Sequence, residues 1–326
     1  MTTTSVTRPP TAARGPVPPA LGARRRRHRL RVLAFLSPWL IGFAVFLVYP
    51  LVTTVYLSFT NANLVSAAGW VGLRNYRFLL EQDPYIWQAF RNTAWLVVVM
   101  VPAQVLFALA VAMLLVRLKS GAGLLRTVFY LPSLVPPVAA TVAFVYMFNP
   151  ATGPVNHILE TVGIPGPDWF NSPSWSKPAL TLLSLWGIGN VMVIFLAALL
   201  EVPTELYEAA SLDGASPWQR FRYVTFPSIS PVLLFSVVTG IIAALQYFTQ
   251  AMVAAQAAGG LHSGAVPGYP EGSTLTVPQW LYITGFNQFH MGYACALAVV
   301  LFAVSMVFTA ALLRRASGFQ PQEVAS

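Results

Sequence analysis

The chain has 326 residues, of which 56% are hydrophobic and only 9% charged, with a net charge of +9. Soluble domains carry about 25% charged residues, so this composition, with a mean hydropathy of +0.64, excludes an ordinary water-soluble protein. It indicates an all-α integral membrane protein. The one cysteine, Cys295, allows no intrachain disulfide.

Residues 1–23 are rich in Pro, Thr, Ala and Arg, with almost no large apolar side chain, and predict a disordered segment. The basic run Arg24-Arg25-Arg26-Arg27-His28-Arg29-Leu30-Arg31 completes a tail over 1–31. No aromatic groove or folded domain accompanies it, which argues against nucleic acid. It abuts an apolar stretch and reads as a positive-inside anchor facing anionic lipid. That stretch, 32–59, is uncharged, long enough to cross ~30 Å of hydrocarbon, and closed by no small-residue cleavage site. It predicts a retained first span.

A polar loop follows over 60–91, with Arg74, Asn75, Arg77, Glu81 and Asp83, then a second span over 92–116. A short basic loop, 117–126, leads to a third span over 127–148. Pro132, Pro136 and Pro137 interrupt that span. In lipid a broken helix must turn its freed backbone toward protein or water. The kink therefore serves either a translocation path or packing alone. A polar loop over 149–178 carries Trp169, Phe170 and Trp175, and a fourth span is expected over 179–200.

The stretch 201–231, EVPTELYEAASLDGASPWQRFRYVTFPSISP, sits between long apolar segments yet holds six of the chain's few charges. It reads as two short helices with a bend. Pro203 suits a first helical turn, and Leu206, Ala209 and Ala210 share one face. Gly214 stands where a left-handed residue ends a helix. Ser216, Pro217 and Gln219 spell a capping box for the second helix, with Pro227 expected to stop it. The paired alanines leave a smooth surface that another protein can approach. A fifth span is expected over 232–253, a loop rich in Gly, Ser and Pro over 254–289, and a sixth span over 291–313, with a short tail over 316–326.

Six spans put both termini on one side. With the N-terminus inside, the inner side holds fifteen of the 19 Lys and Arg, against Arg74, Arg77, Arg91 and Lys177 outside. The positive-inside rule then places both termini and the 201–231 loop in the cytoplasm.

Glu208-Ala209-Ala210, three residues, Gly214, nine residues, then Val224-Thr225-Phe226-Pro227 resembles the EAA motif of permease subunits of binding-protein-dependent ABC importers. The family form ends I-x-L-P, so Val224 and Phe226 are mild apolar replacements. YPLVTTVYLSFTNANL with WVGLRNYRFLL, the prolines of the third span, and FNQFHMGYACALAVVLF likewise resemble the carbohydrate-uptake branch, the maltose/glycerol-phosphate permease-like family. The resemblance covers nearly all of 33–313 and implies one permease domain over 32–315 in the cytoplasmic membrane. It implies that Glu208, Ala209, Ala210, Gly214 and Pro227 belong to a coupling element that docks on a cytoplasmic ABC ATPase dimer. The implied assembly adds a second, usually different, permease subunit and an extracytoplasmic solute-binding protein. ATP and Mg would be used by the partner ATPase, with no cofactor bound by this chain.

The residues themselves agree with a transport part that lacks its own engine. No G-x-x-x-x-G-K-[ST] occurs, and no H-E-x-x-H, C-x-x-C or G-x-S-x-G. No catalytic residue is nominated. His28, His157, His262 and His290 are scattered, so no metal site is expected. The expected spans hold no Asp, Glu, Lys or Arg in their interiors, which argues against a proton-coupled carrier. A uniporter, a channel or a membrane scaffold remains as an alternative. Within the spans stand Gln104, Asn190, Thr239, Gln246 and Gln250, near Trp186, Tyr247 and Phe248. Amides beside aromatic rings suit a neutral hydroxylated solute, with Asn190, Gln246, Tyr247 and Gln250 as pathway candidates. Hydrogen bonding between helices is the other use for such groups.

Overall fold

The structure is a computed structural model that describes residues 21–63, 68–118, 120–260 and 267–316. About 76% is helical and, among the described residues, no strand forms. The chain divides into a unit ending at Thr53 and one beginning at Thr54. In the first, α1 (Leu21–Phe43) passes through a π-turn, Ala44–Val48, into α2 (Tyr49–Ser58). The helix begins at Leu21 and takes in the basic run. Arginine is a good helix former, and the run continues the apolar helix behind it. Residues 1–20 and 317–326 of the expected tails, with Lys119 and residues 261–266, lie outside the described residues.

In the second unit α3 (Arg74–Glu81) and α4 (Ile86–Trp95) occupy what the sequence suggested was loop. After a π-turn, α5 (Val101–Arg117) completes one apolar helix over Ile86–Arg117. This span starts earlier than the expected 92. Asp83 explains why: its Oδ1 accepts the N–H groups of Tyr85 at 2.8 Å and Ile86 at 3.1 Å and caps the helix there.

The third span breaks more sharply than a kink. α6 (Ala122–Tyr130) and a 3₁₀ turn (Leu131–Leu134) meet α7 (Pro137–Met147) at 99°. Val135 and Pro136 are extended there, since a residue before proline avoids helical backbone. The loop over 149–178 contains α8 (Pro154–Thr161), with Phe170 buried and the Trp169 indole donating to Asn156 Oδ1 at 2.7 Å. The fourth span, expected over 179–200, is α9 (Ser176–Trp186) and α10 (Gly189–Leu200) bent by 51°. A Cβ at Gly189 would stand 2.8 Å from Tyr130 Cα and 3.0 Å from Phe129 O. The glycine is what lets α6 approach this break. Gly189→Ala is expected to destabilise the protein by about 1–3 kcal/mol, measured as a lower midpoint of thermal unfolding in detergent.

Next come α11 (Thr204–Leu212) and α12 (Pro217–Arg220). Pro227 does not stop the second helix. A π-turn, Phe221–Thr225, carries it into α13 (Phe226–Leu245), giving an unbroken helix over Pro217–Leu245. The wider turn just upstream takes up the strain at a residue that has no N–H to give. The expected fifth span over 232–253 therefore ends early, at Leu245, and α14 (Thr249–Gly259) begins anew.

The stretch expected as a loop over 254–289 is mostly built structure. α15 (Val277–Tyr282) and a π-turn, Ile283–Asn287, precede α16 (Met291–Ala316). Ser273 through Val277 are all buried. The polar backbone of this segment is matched by side chains of neighbouring helices. Gln88 Nε2 donates to Glu271 O at 2.8 Å, and Asn92 Nδ2 to Gly272 O and Leu275 O at 2.8 and 2.9 Å. Ser176 Oγ meets Ser273 Oγ at 2.8 Å, and Val277 N–H donates to Thr93 Oγ1 at 3.1 Å. Backbone buried in this way must be paired, and these bonds supply partners for it.

The main core lies between α5 and α10. Val101, Val105, Ala108, Ala112 and Leu115 form one stripe, and Met192, Phe195, Leu196 and Leu199 the facing one. Two fully buried alanines one turn apart, Ala108 and Ala112, let the helices approach closely. Between membrane helices that closeness, rather than escape from water, is the main source of stability. By length and composition the described residues hold four helices able to cross a membrane, or six if each bent pair is one span.

Candidate functional site

Three helix breaks converge on one cavity of about 300 Å³. The break between α6 and α7 contributes Pro132, Ser133, Val135 and Pro137. The break between α9 and α10 contributes Trp186, Gly187 and Asn190. The break between α13 and α14 contributes Gln246, Tyr247 and Gln250. Interrupted helices at membrane depth are tolerated where they face protein or an aqueous cavity, and all three do so here.

All four pathway candidates, Asn190, Gln246, Tyr247 and Gln250, line this one cavity, together with Gln104 of α5. Thr239 and Phe248 do not. No Asp, Glu, Lys or Arg is among the lining residues. Among the described residues the side-chain amides of Gln104, Asn190, Gln246 and Gln250 make no hydrogen bond to protein. Their use as ties between helices is thus not what the structure shows. Tyr247 is over nine-tenths buried, and its hydroxyl has no partner among the described residues. A buried hydroxyl left unpaired is costly. An uncharged, amide-rich cavity with such a hydroxyl can offer several hydrogen bonds to an uncharged polar group.

The second part of the site is the pair α11 and α12. α11 ends as the sequence predicts: Gly214 is left-handed at φ +76°, and Ala215 N–H bonds to Ala210 O at 2.9 Å. Pro203 is the residue before the helix rather than its first. The capping box is present, with Ser216 N–H donating to Gln219 Oε1 at 2.7 Å and Gln219 N–H to Ser216 Oγ at 3.3 Å. Arg220 Nη1 donates to Ser211 Oγ at 3.1 Å, and the hydroxyls of Tyr207 and Thr225 meet at 3.0 Å. These ties hold the two short helices as one corner. Glu208, Ala209 and Pro227 are exposed, and Ala210 is half-exposed. No residue of α11 is buried, and Leu212, Trp218 and Tyr223 are 90%, 69% and 72% exposed. The helix over Pro217–Leu245 joins this corner to the cavity across ~43 Å, at 1.5 Å per residue.

Asp83 and Asn92 were not singled out from the sequence. Asp83 is buried, and its Oδ2 accepts the Trp280 indole N–H at 2.7 Å and the Tyr293 hydroxyl. The signal was present, since Asp-Pro just before an apolar run is an N-terminal helix signature. The long-range partners were not visible.

The apolar helices, the uncharged cavity at three helix breaks and the exposed α11–α12 corner agree with a transport permease. The model of the family described as "Binding-protein-dependent transport system inner membrane component" matches residues 104–317, and the chain belongs to that family. It is thus a permease subunit of a binding-protein-dependent ABC importer. It is 36% identical to the probable ABC transporter permease protein YesP of Bacillus subtilis, over 90% of this chain and 92% of that one. It is 32% identical to the sulfoquinovosyl glycerol transport system permease protein SmoG of Agrobacterium fabrum, over 88% and 90%. Its fold is that of a chain in the crystal structure of a bacterial ABC transporter involved in import of the acidic polysaccharide alginate. That match has a TM-score of 0.76 at 21% identity and covers 92% of this chain and 99% of the other.

Proposed function

We propose that this subunit carries a neutral sugar or a related polyhydroxylated solute across the cytoplasmic membrane by alternating access. The observation that carries the reading is the meeting of Gln104, Asn190, Gln246 and Gln250, all unpaired, around one uncharged cavity. At about 300 Å³ the cavity is at the small end of the range for ligand pockets. Lactose and arabinooligosaccharides, named for two further relatives, are neutral sugars and support this class.

In this reading the bent pairs each count as one span, making six, with both termini and the α11–α12 corner in the cytoplasm. Glu208, Ala209, Ala210 and Gly214 dock on an ABC ATPase dimer that uses ATP and Mg. Pro227 lies at the joint where the docking helix enters α13. Closure of the ATPases moves the corner, and the helix from Pro217 to Leu245 carries that movement to Gln246 and Tyr247. A different permease subunit completes the path, and an extracytoplasmic binding protein delivers the solute. The permease domain spans 32–315, between an N-terminal tail over 1–31 and a C-terminal tail over 316–326.

The test is uptake of labelled disaccharides, with an amino acid and an anionic solute for comparison, by cells expressing Asn190→Leu/Gln250→Leu. Each lost hydrogen bond to a solute is worth about 0.5–1.5 kcal/mol. Sugar uptake is expected to fall about tenfold while the ATPase still co-purifies. Undiminished sugar uptake, or uptake of the amino acid alone, would overturn the assignment.

A further inference from the structure

A second, differently built cleft of about 470 Å³ lies between α3, the chain just after α2, and the start of α16. It faces the end of the protein away from α11 and α12. The connections show this: α13 climbs from α12 to Tyr247, whose carbonyl accepts the Thr276 hydroxyl at 2.8 Å. The next residue, Val277, is bonded to Thr93, two turns into the helix that starts beside α3.

The walls of this cleft are rigidly placed. Buried Asn75 donates to Ser58 O and Thr60 O, both at 2.8 Å, tying α3 to the preceding chain. Gly292 N–H donates to Ala62 O at 2.9 Å, tying that same chain to α16. The Phe78 and Tyr293 rings meet edge to face at 5.1 Å, and Tyr293 is anchored on Asp83.

The chemistry of the cleft has one sign. Arg74, Arg77 and His290 line it with Asn61 and Gln82, and no carboxylate is among the lining residues. Arg74 and Arg77 are exposed and form no ion pair among the described residues. Two carboxylates lie nearby. Asp83, behind Tyr293, is already taken by four donors, and Glu81, one turn past Arg77 on α3, pairs with neither arginine. Residues 64–67 are Leu, Val, Ser and Ala and bring no acidic group. Two guanidinium forks on adjacent positions of one helix face suit carboxylates, which they bind in pairs of hydrogen bonds.

Resting on the importer reading above, we infer that this cleft is a docking socket for an acidic side chain of the extracytoplasmic binding protein. The family description supplies such a partner, the cleft opens on the side from which it would approach, and the unpaired positive charge supplies the complementarity. The socket lies apart from the solute cavity, and the two share no lining residue. It would orient the loaded binding protein and speed its encounter, as charges at an interface rim do.

The test uses the intact complex in proteoliposomes, with the binding protein that supports its uptake titrated outside at about 150 mM salt. Arg74→Glu/Arg77→Glu is expected to raise the binding-protein concentration for half-maximal uptake about tenfold or more, and Arg77→Lys much less. Reversing an acidic surface residue of the binding protein to Arg is expected to restore most of the loss. The same half-saturation in the double variant as in the parent would overturn the inference. So would competition by free hexuronate stronger than that of sodium chloride at equal ionic strength, since the cleft would then take a soluble carboxylate. A parent complex that does not respond to any binding protein would instead bring down the importer reading itself.

Discussion

Glu208→Lys is expected to abolish ATP-driven uptake while leaving the protein folded and inserted. Glu208 is exposed on α11 and forms no ion pair among the described residues, so its replacement disturbs nothing inside the chain. At a protein interface, putting a like charge where an opposite one is wanted costs about 2–5 kcal/mol, roughly thirty-fold or more in affinity. Gly214→Val should act by another route to the same end. A Cβ there meets no atom within 4 Å, but φ is +76°, and a left-handed β-branched residue costs at least ~1–2 kcal/mol. The corner would relax by turning α11 away from α12 and misplacing Glu208, Ala209 and Ala210. Recovery of the ATPase on an affinity-tagged chain measures both effects. Normal recovery with normal uptake in both variants would show that the docking surface is elsewhere.

Asp83→Ala is expected to be the most damaging single change to the fold. The carboxylate is 6% exposed and accepts two backbone N–H groups, the Trp280 indole and the Tyr293 hydroxyl. Removing it strands four donors, two of them on side chains inside the cluster of Leu79, Ile86, Leu275, Val277 and Leu297. Each buried donor left without a partner costs about 1–3 kcal/mol, so several together take a large share of the 5–15 kcal/mol that holds a typical protein together. Asp83→Asn retains one acceptor oxygen and should lose less. The midpoint of thermal unfolding in mild detergent, with the yield of monodisperse protein, reads the difference. Equal midpoints for Asp83→Ala and the parent would mean that the anchoring of α15 and α16 is carried by packing alone.

Local rules made the corner at 201–231 readable. Gly214 is the residue a helix end calls for, and Ser216 with Gln219 is a capping signal complete within four residues. The four pathway candidates could be nominated too, because an amide in an apolar run is conspicuous. What no local pattern reveals is how helices break. Hydropathy sees 179–200 as one apolar run, whereas the bend at Gly187 and Ile188 lies where Gly189 seats on Tyr130, a contact with a distant segment. Pro227 misled for the opposite reason. Proline usually ends a helix, but a π-turn directly before it removed the conflict. The segment before α16 misled most, since Gly, Ser and Pro read as loop. Its order depends on Gln88, Asn92, Thr93 and Ser176, residues about 100–190 positions away in the chain, in a protein whose backbone must find partners wherever water is excluded.

The account stands on a separate ATPase driving solute through this chain. The direct measurement is accumulation of a labelled sugar in proteoliposomes that contain the co-purified complex, with binding protein outside and ATP inside or omitted. The sugar is expected to concentrate above its external level only with ATP inside, and Glu208→Lys should abolish that gain. Equilibration to the external level at the same rate with and without ATP would contradict the account and point to an uncoupled uniporter or channel.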